Sequence, residues 1–358
     1  MLGVYVHFPW CRKVCPYCDF AVEPVGRDEP PQDAYLSAIL AELDARAAQF
    51  SGPLASIYFG GGTPSLWRID CIARAIDAIR ARFASDPREV TIEANPTDCT
   101  VERLAAWRAA GVTRVSIGVQ SFDARELVVL GRDHRFGDGR SALAAARASG
   151  LAVSADFILG VPGGTLAAPD PPDVDHLSIY ELTIEDRTAF GARVRAGRMT
   201  PLDEDTLASL YVATHDALVA RGWEHYEISS YARPGARAVH NSLYWRGEPF
   251  LGLGASAASL AVAPDGSGER ATNPRRAADY MAGRPAEVTR ISAPEMAADR
   301  AWLGLRTSDG VAEAELPAAV ASWLVDEGLA ERSAGRICPT LRGFLMADRI
   351  AARVVESS

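Results

Sequence analysis

Short β-type runs and longer stretches with helical periodicity take turns along the first two-thirds of the chain. The β-type runs are Val4–Phe8, Ser56–Gly60, Glu89–Glu93, Arg114–Val119, Val153–Ile158 and His176–Glu181. Helical patterns fill the gaps at Asp33–Gln49, Arg68–Phe83, Val101–Ala109 and Gly139–Ala148. Two of these helices run into Gly111 and Gly150, and glycine is the residue that best adopts the left-handed cap. Strand, helix, strand in repetition predicts an α/β fold: a parallel sheet with crossover helices, open or curled into a barrel. Ligands in such folds gather at the carboxyl ends of the strands.

One crossover breaks the rhythm. Between Val161 and Asp175 the chain is short and rich in proline and glycine, whereas a parallel connection normally takes a dozen or more residues with a helix. An irregular loop is expected there, leaving one face of the sheet less covered. After Thr183 come a helix at Asp205–Ala220, the segment Trp223–Ile228, the run His240-Asn241-Ser242-Leu243-Tyr244-Trp245 and then Phe250–Gly254. From Pro294 onward, helical stretches at Met296–Leu305 and Leu316–Glu327 precede a two-stranded wing, Leu329–Arg332 and Arg336–Pro339. A final helix, Leu341–Val355, places Leu341, Phe344, Leu345 and Val354 near one face. That order predicts a small winged-helix-like module. The chain divides into residues 1–230, 231–285 and 286–358.

Composition narrows the function class. A chain of 358 residues, 48% hydrophobic and 23% charged, has the make-up of a globular protein. Its net charge of −9 argues against general nucleic-acid binding, which relies on neutralising phosphates. The C-terminal module therefore reads as a cover, not a DNA reader. Thirty-six of the 37 basic residues are arginine, and Lys13 is the one lysine. No apolar stretch approaches the ~20 residues of a membrane helix. The first strand begins almost at Met1, leaving no room for a targeting peptide, so a cytoplasmic location is expected.

The strongest chemical signal is Cys11, Cys15 and Cys18, a C-x3-C-x2-C spacing directly after the first strand. Three thiolates on one tight loop can hold three irons of a cubane cluster and leave the fourth open to an exogenous ligand. Structural zinc normally takes four Cys or His ligands, often as two pairs, and no second pair is present. Cys71, Cys99 and Cys338 are scattered. Spacing alone leaves cluster, zinc and plain thiols open. The other strand ends carry Gly60-Gly61-Gly62-Thr63-Pro64, Glu93-Ala94-Asn95-Pro96, Gln120-Ser121-Phe122 and Asp156. Glycines admit a ligand close to the backbone, or make an ordinary tight turn. Converging on the rim that bears the cysteines, these residues read as the wall of a pocket for a polar, nucleoside-sized ligand. His240, among aromatics, reads either as a satisfied, partly buried histidine or as an axial ligand to a flat macrocycle.

Taken together these segments resemble the radical S-adenosylmethionine superfamily, within it the group around oxygen-independent coproporphyrinogen III oxidase, and most closely that group's haem chaperone family. The matching segments are Tyr5 to Phe20, Gly60 to Pro64, Glu93 to Pro96, Gly118 to Phe122, Leu130 to Arg132, Asp156 to Gly160, Leu182 to Glu185, His225 to Ser229 and His240 to Trp245. The resemblance implies a partial (β/α)6 TIM-like radical SAM barrel with a C-terminal cover. It implies that Cys11, Cys15 and Cys18 ligate a [4Fe-4S] cluster whose fourth iron takes the amino and carboxylate groups of S-adenosylmethionine. Tyr5 and the backbone near Tyr17 would line that site. Gly61, Gly62 and Thr63 would hold the methionine amino end. Glu93, Gln120, Arg132 and Asp156 would contact the carboxylate and ribose region, and His240 would contact haem. The implied task is to carry haem to membrane haemoproteins such as respiratory enzymes, with peripheral membrane contact and no nucleic acid; the alternative is oxidative decarboxylation of coproporphyrinogen III. The oxidase has a longer N-terminal extension and a further cysteine two residues beyond its third ligand, where this chain has Phe20. Two features depart from the carrier pattern: the short crossover, and Ala258 where many members have histidine.

Overall fold

The computed structural model describes residues 1–25, 29–167, 169–170 and 172–357. Six strands lie side by side in chain order, each parallel to the next. They are β1 (Leu2–Phe8), β2 (Leu54–Gly61), β3 (Glu89–Ala94), β4 (Arg114–Gln120), β5 (Ala152–Leu159) and β6 (His176–Glu181). The connections carry α1 (Gln32–Arg46), α2 (Ile69–Phe83), α3 (Val101–Ala109), α4 (Ala124–Val129) and α5 (Asp138–Ala148). α1, α2, α3 and α5 turn apolar stripes inward, such as Ile72, Ala75, Ile76 and Ile79 of α2, against strand residues buried in the same core. β1 and β6 do not pair, so the array stays open. Side chains from β2 through β6 nevertheless line one cavity, so the sheet curls around it.

Between β5 and β6 the described residues form no helix; Ala168 and Pro171 of this connection lie outside them. The loop is pinned by Glu126 of α4, whose carboxylate accepts from the Thr165 backbone at 2.7 Å. Beyond β6 and α6 (Ala189–Arg195), helix α7 (Glu204–Val219) returns to this face, its Leu207 packed against Gly160 and its Leu210 and Leu218 in the main core. A helix later in the chain thus supplies cover that the proline-rich crossover cannot.

The sheet then grows at both edges to twelve strands. Past β6, β8 (Ser230–Ala232) and β7 (Glu224–Glu227) add an antiparallel hairpin. Past β1, and after α8 (Val239–Trp245), β9 (Phe250–Leu253) pairs in parallel, followed by antiparallel β10 (Ala258–Val262), β11 (Gly268–Thr272) and, beyond α9 (Ala277–Met281), β12 (Glu287–Ile291). The last of these strands is exposed at four of five positions, so it carries no apolar run by which sequence could mark it.

The C-terminal residues form a second apolar cluster of Leu305, Val320, Leu324, Ile337, Ile350 and Val354 among others. It draws on α10 (Ala293–Gly304), β13 (Val311–Ala312), α11 (Ala318–Asp326), and the wing β14 (Ala330–Ser333) and β15 (Arg336–Pro339). The expected single last helix is two, α12 (Leu341–Leu345) and α13 (Ala347–Glu356), broken at Met346 with φ −106° and ψ 21°. The break lets Phe344 turn toward His225 of the barrel while Ile350 and Val354 fill the C-terminal core. Main-chain bonds from Ile228 to Arg306 (3.1 Å) and from Ser308 to Tyr226 (2.9 Å) join this body to the edge of the sheet. No helix among the described residues is long and apolar enough to cross a membrane.

Candidate functional site

The cysteine loop is built on main-chain bonds at the end of β1. Gly62 N donates to Phe8 O (2.8 Å) and Thr63 N to Trp10 O (2.9 Å), while Glu23 N and Val25 N reach Pro9 O and Cys11 O at 2.7 and 2.8 Å. Inside this frame, Cys18 N bonds Cys15 O at 3.0 Å, and all three thiols are free and line a cavity of about 490 Å³. Thr63 Oγ1 donates to Cys11 Sγ at 3.3 Å, and Arg132 Nη1 to Cys15 Sγ at 3.4 Å. Burial pushes the Cys11 thiol up to about 11, the Thr63 hydrogen bond opposing it in part.

The three sulfurs do not all lie within 4.8 Å of one another. Thiolates on a single tetrahedral zinc, at about 2.3 Å from the metal, sit closer together than that. Three free thiols spread at one cavity mouth, with donors already aimed at two of them, fit a cluster of several irons better than one ion.

The cavity wall follows from the two-residue period of the strands. Tyr58, Glu93, Ser116, Gly118, Asp156, Ile158 and Tyr180 project into it from β2 to β6, with Glu93 opposite Ser116, Gly118 opposite Asp156 and Ile158 opposite Tyr180. Glu93 accepts from Tyr58 Oη at 2.8 Å and from Gly61 N at 3.1 Å. Burial lifts its carboxyl to about 7, the Tyr58 bond pulling down and the charge of Asp156 pushing up. Asp156 is raised to about 6 by burial, restrained by hydrogen bonds from Ser178 and Ser116. Arg132 Nη2 is held by Asn95 Oδ1 at 2.7 Å and Gly118 O at 3.2 Å, which aims its guanidinium across the cysteine loop. Gln120 adopts φ +65°, a strained value for a side-chain residue, at the rim.

The two carboxyl groups make stability depend on pH. Glu93 binds its proton more tightly folded than unfolded, so its contribution is present below its ordinary 4.5 and lost as pH rises through about 7. The loss is roughly 3 kcal/mol at ~1.4 kcal/mol per pH unit. Urea unfolding of the ligand-free chain at pH 5 and pH 8 should show lower stability at pH 8, and Glu93→Gln should flatten the difference. An unchanged pH slope in the variant would contradict the assignment.

Of the residues expected at the site, Cys11, Cys15, Cys18, Tyr17, Gly61, Thr63, Glu93, Gln120, Arg132 and Asp156 come together on the cavity. Tyr5, Gly62 and His240 do not. Tyr5 stacks behind Tyr58 at 6.1 Å, and its hydroxyl meets His7 Nδ1 at 2.9 Å. Gly62 lies under the loop, where a Cβ would stand 2.7 Å from Trp10 O. His240 is 1% exposed, with Nδ1 bonded to Ser56 Oγ and Nε2 to Tyr244 Oη, both at 2.8 Å, and its ring stacked on Tyr58. Burial holds it neutral, down to about 3. Tyr58, Ser116 and Tyr180 line the cavity too, beside Asn95 of the strand-end segment, and no residue type in the sequence singles these three out. Their strand register with Glu93 and Asp156 marks them, but register is not visible in one sequence.

Residues 5–169 match the family model described as the Radical SAM superfamily. The chain is 38% identical to the protein named heme chaperone HemW of Escherichia coli (strain K12), over 81% of this chain and 78% of that one. It is 35% identical to the heme chaperone HemW of Mycobacterium tuberculosis (strain ATCC 25618 / H37Rv), over 97% and 93%. Among solved structures, coproporphyrinogen III oxidase (HemN) from Escherichia coli, a radical SAM enzyme, superposes with a TM-score of 0.77 at 22% identity, covering 99% of this chain and 89% of that one. That likeness establishes a shared fold: a mostly parallel α/β sheet around one cavity, with the C-terminal residues included.

Proposed function

The chain belongs to the HemW family of the radical SAM superfamily, and from this we propose that it is a haem carrier that binds a [4Fe-4S] cluster, S-adenosylmethionine and haem and delivers haem to membrane haemoproteins. The observation that carries the reading is identity over nearly the full length of both chains to proteins named heme chaperones. Phe20 supports it from the site itself: it stands at the cavity rim, 70% exposed, where the oxidase pattern has its further cysteine. A cytoplasmic location belongs to the same reading.

Cys11, Cys15 and Cys18 would hold the cluster, which would supply an open iron for S-adenosylmethionine and a source of one electron. The chain's own residues then divide the work. Arg132 brings a fixed positive charge beside Cys15 and suits a carboxylate. Glu93 and Asp156 place negative charge across the cavity, which favours a ligand bearing ammonium and sulfonium groups once both are ionised. Thr63 and Gly61 shape the floor between them. His240, enclosed with both nitrogens engaged, takes an indirect part by fixing Tyr58 and Tyr244; a direct contact with haem requires α8 to move outward.

Anaerobic reconstitution followed by haem titration tests the proposal. Saturable binding of one haem per chain is expected, without decarboxylation when coproporphyrinogen III and S-adenosylmethionine are supplied. Carboxyl groups lost in proportion to S-adenosylmethionine cleaved would move the assignment to the oxidase.

A further inference from the structure

If the chain carries haem, its iron needs a protein atom to hold it, and the structure offers few imidazoles for the purpose. Of the six histidines, His7, His134, His176, His225 and His240 are at most 8% exposed. Both ring nitrogens of His7, His176 and His240 are hydrogen-bonded inside the protein. His134 spends Nε2 on Val119 O at 3.1 Å, and its Nδ1 is buried. His215, on α7, is the exception: it is partly exposed, and its Nε2 makes no hydrogen bond to any described residue.

The polar network around it fixes its tautomer. Tyr211 donates its hydroxyl to Ile228 O at 2.8 Å, so the Tyr211 oxygen accepts from His225 Nε2 at 3.4 Å. With its proton on Nε2, His225 presents an unprotonated Nδ1, which accepts from His215 Nδ1 at 2.8 Å. His215 is therefore oriented by one nitrogen and offers the lone pair of the other, the arrangement by which proteins hold a metal-ligating histidine. Burial also lowers the proton affinity of His215, keeping that lone pair free near neutral pH.

The surroundings suit a flat apolar ligand. Tyr211 and Val219 lie one turn before and after His215 on the same face of α7, and Val219 is 44% exposed. Phe344 of α12 meets the His225 ring edge-on at 5.0 Å, and the adjacent Leu345 is 38% exposed. A bare metal ion wants three or four protein ligands, and among the described residues no three-ligand group includes His215. An iron already held by four macrocycle nitrogens needs only one.

We propose that His215 Nε2 is the axial ligand to haem iron, on a surface formed by α7 where the C-terminal body meets the barrel. The proposal rests on the haem-carrier reading. Titrating ferric haem into the full reconstituted chain, then reducing it and recording the iron–histidine stretch by resonance Raman, tests both separately. Wild type should show that band; His215→Ala should lose it, bind at least tenfold more weakly, and regain a six-coordinate ferric spectrum with added imidazole. His215→Gln, which keeps a side-chain hydrogen bond toward His225, should match His215→Ala while both retain the cluster absorbance. Saturable wild-type binding with the band intact in both variants overturns the assignment to His215 and leaves the carrier reading standing. No saturable binding by wild type overturns the carrier reading itself.

Discussion

Cys15→Ala is expected to lower bound iron from about four per chain to nearly none after anaerobic reconstitution, with sulfide and the broad visible absorbance lost in parallel. Cys15 is the middle cysteine of the loop, facing the cavity with the Arg132 guanidinium at 3.4 Å, so on the proposed reading its loss would remove one of three anchors and leave that cation without its sulfur. Each thiolate would anchor one iron of the cubane, so two thiols would hold it at two corners only. Cys11→Ala and Cys18→Ala should do the same. The remaining cysteines serve as controls because each is elsewhere: Cys71 is buried in α2, Cys99 donates to Asn95 O at 3.5 Å, and Cys338 to Asp309 O at 3.5 Å. Alanine at these three should leave iron and sulfide unchanged. Zinc in place of iron in the wild type, or iron retained in Cys15→Ala, would remove the basis for a cluster.

Gly61→Ala is expected to destabilise the chain by roughly 2–4 kcal/mol, combining a left-handed backbone with overpacking. At φ +111° an added Cβ lies 2.5 to 2.9 Å from three atoms of the His7 ring. His7 cannot retreat freely. Its Nε2 donates to Ala21 O at 3.0 Å and its Nδ1 accepts from Tyr5 Oη at 2.9 Å, so it ties the cysteine loop to β1. The damage should therefore reach function, as lower cluster occupancy after reconstitution. Gly52→Ala gives the comparison: its φ is +102° but nothing lies within 4 Å of the new Cβ. A drop in the urea midpoint several times larger for Gly61→Ala is the expected result; equal drops would mean that the backbone alone, not His7, sets the cost.

Legibility tracked burial pattern. The six central strands are buried along most of their length and carry β-type apolar or alternating patterns, by which sequence places each within about two residues. β11 and β12 are largely polar and carry no such pattern; with β10 they extend the sheet by antiparallel pairing beyond β9. The last helix breaks at Met346 for a reason seen only in three dimensions, since Phe344 turns to the His225 ring while Ile350 and Val354 stay in the C-terminal core. The site divides in the same way. Cysteines, glycines and acids at strand ends announce themselves by residue type, whereas Tyr58 and Tyr180 look like ordinary strand aromatics until the register points them at Glu93 and Asp156.

The amino-acid sequence by itself marked the cysteine loop and the parallel core, because cysteine spacing and hydrophobic period are local properties written into neighbouring residues. Tertiary structure decided which side chains face the cavity and which are enclosed. It set His240 in a closed hydrogen-bonded pocket and left His215 with a free nitrogen at the surface. That choice depends on how strands 1 and 2, helix α8 and the C-terminal body pack together, and accessibility is a property of packed neighbours that no stretch of one sequence contains.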